Sequence, residues 1–229
     1  MCGRYSQTCD ANVLAQRFGA NASQVGLAPQ YNIAPTNRAP VLIEESGRQL
    51  KFMQWGLVPS WAKDTVIGSR MINARAETVA EKPSFRKLLE RRRCLVLADS
   101  FYEWRKVDDT KTKIPMRFVL KSREPFAFAG LWDTWKKPDG NELQSFTIIT
   151  TEANDLIRPV HDRMPVILKQ EDEEKWLDPD ITDSSKLTAL LGPLQSDVMA
   201  AYQVSALINS PKNDVAKCIE PVSQSITCG

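Results

Sequence analysis

Cys94-Leu-Val-Leu-Ala-Asp-Ser-Phe-Tyr-Glu-Trp104 is the most strand-like stretch of this 229-residue sequence. Residues 94–98 are apolar without interruption, which is typical of a central strand buried on both faces. Counting in twos gives one face occupied by Leu95, Leu97, Asp99, Phe101 and Glu103. A carboxyl group at the end of this largely apolar row loses hydration, so we expect a raised pKa for Glu103 and proton exchange near neutral pH. The alternative is an exposed glutamate at a strand end.

Patterns on either side of this stretch predict further strands and helices. Strands are predicted at 41–43, 50–52, 115–120, 126–131, 145–150 and 202–205. Helices are predicted at 10–18 with Asp10 as N-cap, at 84–93 with Ser84 as N-cap, at 170–177 and at 184–191. Turns at 45–48 and 137–140 join successive strands, so we expect a mostly antiparallel sheet. The predicted fold class is α+β, with one domain over residues 1–229.

Composition excludes several classes of protein. With 42% hydrophobic and 25% charged residues, the chain can bury the core of one globular domain. No window approaches 18 apolar residues and the N-terminus lacks the apolar core of a signal peptide, so we expect a cytosolic protein without a membrane span. Five scattered cysteines without a C-x-x-C pair, and one histidine, predict neither a disulfide framework nor a metal site. No phosphate-binding or dinucleotide motif predicts a cofactor.

The first four residues, Met1-Cys2-Gly3-Arg4, combine two reactive groups. Cysteine at position 2 is small enough for removal of the initiator methionine, after which Cys2 carries an α-amine and a thiol on adjacent carbons. An α-amine titrates near pH 8, so part of it is neutral and nucleophilic at cellular pH. Such an amine forms a Schiff base with an aldehyde, and the thiol can then close a thiazolidine ring. The alternative is an ordinary cysteine in a frayed terminus.

Two Gly/Pro-containing loops hold candidate binding residues. Residues 31–36 read as an ordered loop in which Asn32 can serve a site. Residues 54–63 place Trp55 and Trp61 in a loop, either as plugs of the core or as a stacking surface for exposed bases.

Two polar segments suggest acid–base chemistry or anion binding. In residues 71–77, Asn73, Arg75 and Glu77 share one face if the segment is extended. His161 is the one histidine of the chain and stands in a proline-bracketed loop with two arginines. Its near-neutral pKa suits proton transfer, although a lone histidine is often structural. The arginines that end the 84–93 helix are either solvated or in contact with phosphate.

Six blocks of the sequence, in this order, resemble the SRAP family, named for SOS response-associated peptidases. They are Met1-Cys-Gly-Arg-Tyr5, Tyr31-Asn-Ile-Ala-Pro-Thr36, Trp55-Gly-Leu-Val-Pro-Ser-Trp61, Asn73-Ala-Arg-Ala-Glu-Thr78, Phe101-Tyr-Glu-Trp104 and His161-Asp-Arg-Met-Pro165. The resemblance covers residues 1–165. It implies a compact α+β fold with a curved, barrel-like β core, a positively charged groove for single-stranded DNA, and covalent capture of abasic sites.

The resemblance also implies roles for individual residues. Cys2 matches the crosslinking nucleophile, Asn73 the group that positions it, Glu103 the proton-transfer carboxylate, and His161 the residue that assists sugar ring opening and crosslink reversal. The DNA-binding residues are expected to be Arg4, Asn32, Trp61, Arg75, Trp104 and Arg163, the arginines on phosphates and the tryptophans against a base.

Three functions remain open at this point. The first is a DNA-damage protein that crosslinks to abasic single-stranded DNA, acting in the cytoplasm on the nucleoid, without a cofactor, metal, membrane or obligatory oligomer. The second is a thiol peptidase or autopeptidase that uses Cys2, His161 and Asn73. The third is a non-catalytic single-strand binding module, which leaves Cys2 unexplained.

Overall fold

Two β-sheets and four α-helices make up the part of the chain that the computed structural model describes, which is residues 2–19, 27–107, 112–137 and 139–222. The strands are β1 (Tyr5–Gln7), β2 (Gln30–Ile33), β3 (Arg38–Glu44), β4 (Arg48–Trp55), β5 (Asn73–Arg75), β6 (Arg93–Ala98), β7 (Ser100–Lys106), β8 (Lys113–Leu120), β9 (Phe126–Lys136), β10 (Glu142–Glu152), β11 (Arg163–Pro165) and β12 (Met199–Gln203). The helices are α1 (Ala11–Phe18), α2 (Pro83–Arg91), α3 (Gln170–Leu177) and α4 (Ser184–Thr188). Short 3-10 helices include 76–78 and 206–209.

Strand β10 pairs with four other strands of the larger sheet. It pairs with β9 over 142–148, with β4 at 145–146, with β5 over 148–150 and with β11 over 150–152. Because β9 also pairs with β6, β6 with β3 and β3 with β4, these pairings return to β10 and close a circuit. Among the described strands only β4 and β5 run parallel to β10. The prediction of an α+β fold with a mostly antiparallel, barrel-like core is confirmed.

The smaller sheet has the order β12-β8-β7-β1-β2 and is antiparallel throughout. Its side chains and those of the larger sheet share one core cluster, which we call the inner core and which includes Tyr5, Trp55, Phe101 and Phe128. The opposite face of the larger sheet packs beneath the helices in a second cluster, the outer core, which includes Leu95 and Trp176.

Strand β6 is buried on both faces, as its apolar run predicts. All six of its residues are buried. Cys94 and Val96 face the inner core, whereas Leu95 and Leu97 face the outer core. Gly130 on β9 lies opposite Cys94, where an added Cβ would stand 2.8 Å from the cysteine sulfur. The close approach of these two strands therefore requires glycine at position 130.

The sequence predicts that Leu95, Leu97, Asp99, Phe101 and Glu103 lie on one face of a single strand, and this prediction is wrong. The chain changes sheets at Asp99, since β6 belongs to the larger sheet and β7 to the smaller one. Ala98 and Phe101 both face the inner core, so the alternation shifts by one residue at this corner. Glu103 follows Phe101 on β7 and not Leu97 on β6. The predicted burial of Glu103 is nevertheless correct, because only 4% of the residue is exposed.

Helix α1 has its predicted limits, whereas α2 begins differently. Asp10 accepts hydrogen bonds from the backbone N–H groups of Asn12 and Val13, and Gly19 ends α1 with a φ of 62°. Helix α2 starts at Pro83, which has no N–H for a cap to satisfy. Ser84 therefore lies inside the first turn, and the prediction that it caps the helix is wrong.

Four other predicted elements have different limits. Residues 30–33 form β2 and not a loop, because they pair with β1. The polar segment 71–77 is extended only over β5, and Glu77 lies in the following 3-10 helix. The last helix, α4, is shorter than the predicted 184–191. The last strand, β12, begins and ends earlier than the predicted 202–205. Pro138 of the predicted 137–140 turn lies outside the described residues.

The guanidinium group of Arg93 joins the C-terminal ends of α2 and α3. Arg93 is 5% exposed and donates hydrogen bonds to the backbone carbonyls of Leu89, Glu90, Trp176 and Asp178. Carbonyls at a helix C-terminus carry partial negative charge and lack partners within the helix. Arg93 therefore stabilises the packing of both helices on the sheet, and the predicted alternatives of a solvated or phosphate-binding side chain do not apply to it.

Replacing Arg93 with methionine should lower the free energy of unfolding by about 3 kcal/mol or more, because hydrogen bonds to a charged group contribute roughly 1.5–3 kcal/mol each. Chemical denaturation measures the loss. The neighbouring Arg92 forms an ion pair with Glu45 at 3.1 Å and its side chain is 40% exposed. Arg92→Met should therefore cost less than about 1 kcal/mol. Equal losses in the two variants would contradict the internal role of Arg93.

Candidate active site

The N-terminal strand places Cys2 beside β7. Tyr5 pairs with Phe101, and the N–H of Tyr102 donates to the carbonyl of Arg4 at 2.9 Å. Extending this antiparallel register by two residues puts Gly3 opposite Glu103. Cys2 is fully buried in the inner core. The first residues of the described chain are therefore an ordered part of the core, and the alternative of a frayed terminus is wrong.

Asp99, at the corner between β6 and β7, holds the other end of β1. Its carboxylate accepts hydrogen bonds from the hydroxyls of Ser6 and Thr8 and, at 2.7 Å, from the backbone N–H of Thr8. Arg117 of β8 forms an ion pair with the same carboxylate at 3.3 Å, and both side chains are nearly buried. Since Ser6 is only four residues from Cys2, this network limits the movement of Cys2 relative to β7.

Burial determines the protonation of Cys2 and Glu103. It is the main cause of the raised pKa of Glu103, which is about 7; the negative charge of Asp162 contributes to the increase, and Lys113 opposes it. Burial also raises the pKa of the Cys2 thiol, and the nearby charge of Glu103 adds to that increase. The prediction for Glu103 is confirmed in direction. At neutral pH the site therefore holds a protonated thiol beside a carboxyl group that can gain or lose a proton.

His161 lies in the turn between β10 and β11. Its Nδ1 atom is 2.9 Å from the backbone nitrogen of Arg163 and 2.9 Å from a carboxylate oxygen of Asp162. Without a proton, Nδ1 accepts the Arg163 N–H; with one, it can donate to Asp162. Partial burial lowers the pKa of His161 below its ordinary value, although Asp162 opposes this. The neutral imidazole is thus favoured at pH 7, and Nδ1 has a partner in either protonation state.

Asn73 presents a hydrogen-bond acceptor to the site. Its strand β5 pairs in parallel with β10, with Asn73 opposite Ile148. The side-chain Nδ2 donates to the carbonyl of Ile72 at 3.0 Å and approaches that of Ile148 at 3.5 Å. Because carbonyls only accept, this orientation of the amide is the favourable one. Oδ1 is buried and has no hydrogen-bond partner among the described residues, so it is available to a donor such as an amine or hydroxyl.

The structure brings Cys2, Glu103 and the His161 turn near one another, and Asn73 follows a residue that packs against the same core. The charge of Glu103 acts on the Cys2 thiol, and the charge of Asp162, next to His161, acts on Glu103. Ile72 and Val160 precede Asn73 and His161 in the sequence and pack against the inner core that contains Cys2. A thiol and a carboxyl group near its pKa therefore lie together, while the imidazole and the unpaired amide oxygen belong to segments that pack against the same core. These are the types of group that nucleophilic and acid–base chemistry uses.

Two of the predicted DNA-binding residues brace the interior. Arg4 donates to the side-chain oxygen of Asn32 at 2.6 Å and to the carbonyl of Ile208 at 2.7 Å. Asn32 donates in turn to the carbonyls of Ser210 and Asn213 at 2.9 and 2.7 Å. Asn32 is 2% exposed, so the structure contradicts a direct contact with DNA. Arg4 and Asn32 instead fix the C-terminal segment against β1 and β2.

The three tryptophans considered from the sequence occupy different environments. Trp55 is fully buried and donates to the carbonyl of Ile72 at 2.9 Å, so it is a core residue. Trp104 is half-buried, lies 5.7 Å from the Arg4 guanidinium and donates to Asn209 at 2.7 Å. Trp61 is 63% exposed. The backbone N–H of Ser60 donates to Asp133 at 2.8 Å, which holds the loop and presents the Trp61 ring to solvent.

Arg75 and Arg163, the two remaining arginines predicted to bind DNA, differ in their exposure and in their partners. Arg75 is exposed at the end of β5. Arg163 makes two parallel hydrogen bonds to the Glu77 carboxylate at 2.7 and 2.9 Å and a third to the carbonyl of Thr150 at 2.7 Å. Its guanidinium group is therefore already engaged within the protein, whereas that of Arg75 faces solvent.

Sequence reasoning missed residues that act on the predicted site through space. Lys113 and Asp162 affect the pKa of Glu103 from β8 and from the His161 turn. The position of Asp162 beside His161 was a usable signal. Nothing in the pattern of β8 distinguishes Lys113 from other exposed lysines, because its proximity to Glu103 results from the pairing of β7 with β8.

The described residues contain no group of three or more histidine, cysteine, aspartate or glutamate side chains that could hold a metal ion. None of the helices in the same residues is long and apolar enough to cross a membrane.

Comparisons with known proteins agree with the resemblance seen in the sequence. The family described as SOS response associated peptidase (SRAP) matches residues 1–211. The chain is 50% identical over 223 residues to the abasic site processing protein YoqW of Bacillus subtilis, covering 96% of this chain and 99% of that protein. It is 32% identical to the abasic site processing protein HMCES of Gallus gallus, covering 86% of this chain and 68% of that protein.

A crystal structure of a protein from Bacteroides thetaiotaomicron has the same fold. It superposes with a TM-score of 0.87 at 32% identity, and the alignment covers 96% of this chain and all of the other. With the family match extending over nearly the whole described structure, the chain belongs to the SOS response associated peptidase (SRAP) family.

Proposed function

We propose that this protein recognises abasic sites in single-stranded DNA and forms a thiazolidine crosslink to them through the amine and thiol of Cys2, after removal of Met1. The observation that carries the proposal is the burial of Cys2 against Glu103, whose pKa is raised to about 7. Similarity to proteins named for abasic site processing supports the choice of substrate. On such a substrate the protein would act in the cytoplasm, on the nucleoid.

The chemistry requires proton transfer but no oxidant or reductant. The deoxyribose at an abasic site opens from its cyclic hemiacetal to expose the C1′ aldehyde. The Cys2 amine adds to C1′, one water leaves, and a C=N bond remains. The thiol then adds across this bond: sulfur bonds to C1′, and the thiol proton ends on nitrogen. Each addition or elimination moves a proton, which is the work of a general acid or base.

Three residues have the properties that these proton transfers need. Glu103 can give a proton to the departing water and accept one from the amine, because its pKa lies near 7. His161 is poised to assist ring opening and, in reverse, crosslink release, because its Nδ1 has a partner in either protonation state. The unpaired Oδ1 of Asn73 can accept a hydrogen bond from the amine and orient its lone pair toward C1′.

DNA binding is proposed to rest on the exposed residues of the predicted set. Trp61 offers an exposed ring for a base beside the lesion, and the Arg75 guanidinium faces solvent where a phosphate can reach it. Arg4, Asn32 and Arg163 are engaged inside the protein, and Trp104 donates to Asn209. We therefore propose that these four shape the groove while Trp61 and Arg75 contact the strand.

A thiol peptidase is the second candidate, and the structure favours it less. The nucleophile of such an enzyme is a thiolate, which requires a lowered cysteine pKa. Burial and the charge of Glu103 raise the pKa of Cys2 instead. In the proposed crosslinking reaction the amine attacks first, so a protonated thiol is no obstacle to the first step. A simple binding module would need neither Cys2 nor the raised pKa of Glu103.

Cys2→Ala should abolish a heat- and detergent-stable adduct with an oligonucleotide that carries one abasic site, as seen on a denaturing gel. Cys2→Ser should give at most a labile imine that borohydride traps, because oxygen closes the five-membered ring less favourably than sulfur. Cys94→Ala, which removes another buried thiol, is the matched control and should crosslink. Wild-type levels of stable adduct in Cys2→Ala would refute the mechanism.

Glu103→Gln should slow crosslinking by roughly 10² to 10⁴-fold, the usual contribution of general acid–base catalysis, with little change in DNA affinity. The wild-type rate should change with pH around 7, and this inflection should be absent in the variant. Single-turnover rates from pH 5 to 9 test both statements. An unchanged rate and an unchanged pH profile would make Glu103 a structural residue.

The same variant should be more stable than the wild type at pH 8 and not at pH 4. The folded pKa of Glu103, about 7, exceeds its ordinary value of 4.5, so the protonated form favours folding. Below pH 4.5 both states hold the proton, and the wild type carries no penalty. As pH rises through 7, the folded protein must bury a carboxylate, which glutamine avoids. Denaturation at the two pH values measures the difference.

Trp61→Ala should weaken binding to single-stranded DNA by about 1–3 kcal/mol, the usual contribution of stacking on one base. Trp61→Phe, which keeps an aromatic face, should retain most of the affinity. Because Trp61 is exposed, stability should change by less than about 0.5 kcal/mol. Binding titrations by fluorescence anisotropy at several salt concentrations give the affinities. Equal affinity for the alanine variant and the wild type would exclude Trp61 as a stacking surface.

A further inference from the structure

The ion pair between Glu77 and Arg163 connects the two segments that carry Asn73 and His161. Glu77 lies four residues after Asn73, in the 3-10 helix that follows β5. Arg163 begins β11, two residues after His161. Both β5 and β11 pair with β10, at 148–150 and 150–152 respectively. The side-chain contact thus joins the two segments at the point on β10 where one pairing ends and the other begins.

The geometry of this pair differs from that of an ordinary surface ion pair. Both guanidinium Nη atoms face the two carboxylate oxygens, at 2.7 and 2.9 Å, and one of them also donates to the carbonyl of Thr150 on β10 at 2.7 Å. The Arg163 side chain is only 14% exposed. Exposed single-contact ion pairs contribute little, but a bidentate contact fixes orientation as well as distance. Three hydrogen bonds, two to Glu77 and one to the Thr150 carbonyl, therefore fix the orientation of the Arg163 guanidinium group.

The backbone of Arg163 transmits this constraint to His161. The N–H of Arg163 donates to the Nδ1 of His161 at 2.9 Å. The same residue therefore touches Glu77 through its side chain and the imidazole through its main chain. The charged groups that face the imidazole from this turn are Asp162, at 2.9 Å from Nδ1, and Arg163 itself. A change in the position of Arg163 must alter the orientation or the exposure of the imidazole.

We propose that Glu77 is a positioning residue, which acts through Arg163 to hold the imidazole of His161 in place against the site that contains Asn73. The inference rests on the proposed function for its kinetic consequence. It gives the two Nη atoms of Arg163 a role in the internal framework. Glu77 makes no contact with the reacting atoms in this scheme. It sets the distance between two segments that do.

Glu77→Gln, which keeps the side-chain shape and removes the charge, tests the proposal in two independent ways. Crosslinking should slow on the order of 10 to 10²-fold, since a displacement of about 1 Å has an effect of that size, while affinity for intact single-stranded DNA stays within twofold. His161 is the one histidine of the chain, so its ring C2–H signal is assigned directly in a proton NMR spectrum. Burial is the main cause of its lowered pKa, so a loosened turn should raise the titration midpoint toward the ordinary value.

Two further variants separate positioning from general electrostatics. Glu81→Gln makes the same charge change four residues away, in the surface depression that Glu77 and Glu81 both line, and should match the wild type in rate and in the His161 titration. Arg163→Lys keeps the charge but cannot form the two parallel bonds, so it should reproduce the effects of Glu77→Gln. The double variant should be no worse than either single variant, because both remove one interaction.

The outcomes are distinguishable. A wild-type rate and an unchanged His161 titration in Glu77→Gln would overturn the proposal. So would faster crosslinking with tighter DNA binding, which would show that Glu77 masks Arg163 from phosphate. If Glu81→Gln slowed crosslinking and shifted the His161 titration as much as Glu77→Gln, the effect would come from local charge, and the positioning role of Glu77 would be overturned. If the wild type itself forms no crosslink, the proposed function fails, while the NMR titration still decides whether Glu77 positions His161.

Discussion

The hydrogen-bond pairing of strand β10 is the constraint on which the rest of the structure depends. Within its eleven residues it pairs with β9, β4, β5 and β11, which closes the circuit of the larger sheet. The parallel pairing with β5 sets the position of Asn73, and the antiparallel pairing with β11 sets the turn that holds His161. A shift of one residue in either register would turn these side chains to the opposite face. The geometry of the site is thus a consequence of sheet closure.

Burial gives the site its chemical character. The Cys2 thiol and the Glu103 carboxyl both lose hydration, and both pKa values rise. Partial burial acts in the opposite direction on His161, because it disfavours the charged imidazolium. Near neutral pH the Glu103 carboxyl can therefore gain or lose a proton, while burial favours the neutral form of the imidazole. At higher pH, burial of the Glu103 carboxylate lowers the stability of the folded protein.

Some arginines form hydrogen bonds inside the protein, whereas others face solvent. Arg93, Arg117 and Arg163 are largely buried and donate to backbone carbonyls or carboxylates within the protein. Arg4 braces the C-terminal segment in a similar way. Arg75, in contrast, faces solvent. The net charge of +2 therefore includes internal cations of the framework as well as exposed basic side chains such as Arg75.

The fold class, the buried strand β6, the limits of α1 and the candidate reactive residues could all be predicted from the sequence. These features depend on local chemistry: an uninterrupted apolar run, an aspartate cap followed by glycine, and a cysteine at position 2. The raised pKa of Glu103 was also anticipated, although the row of side chains used to argue it was wrong, because the chain changes sheets at Asp99.

Only the tertiary structure decided which candidate residues are internal and which face solvent. Asn32 and Trp61 both stand in loops by sequence, yet one is 2% and the other 63% exposed. Arg75 and Arg163 are both arginines beside a predicted catalytic residue, but Glu77 engages only the second. The exposure of a side chain and its hydrogen-bond partners depend on which distant strands pair. A pairing between residues 75 positions apart, such as that of Asn73 with Ile148, leaves no local signal in the sequence.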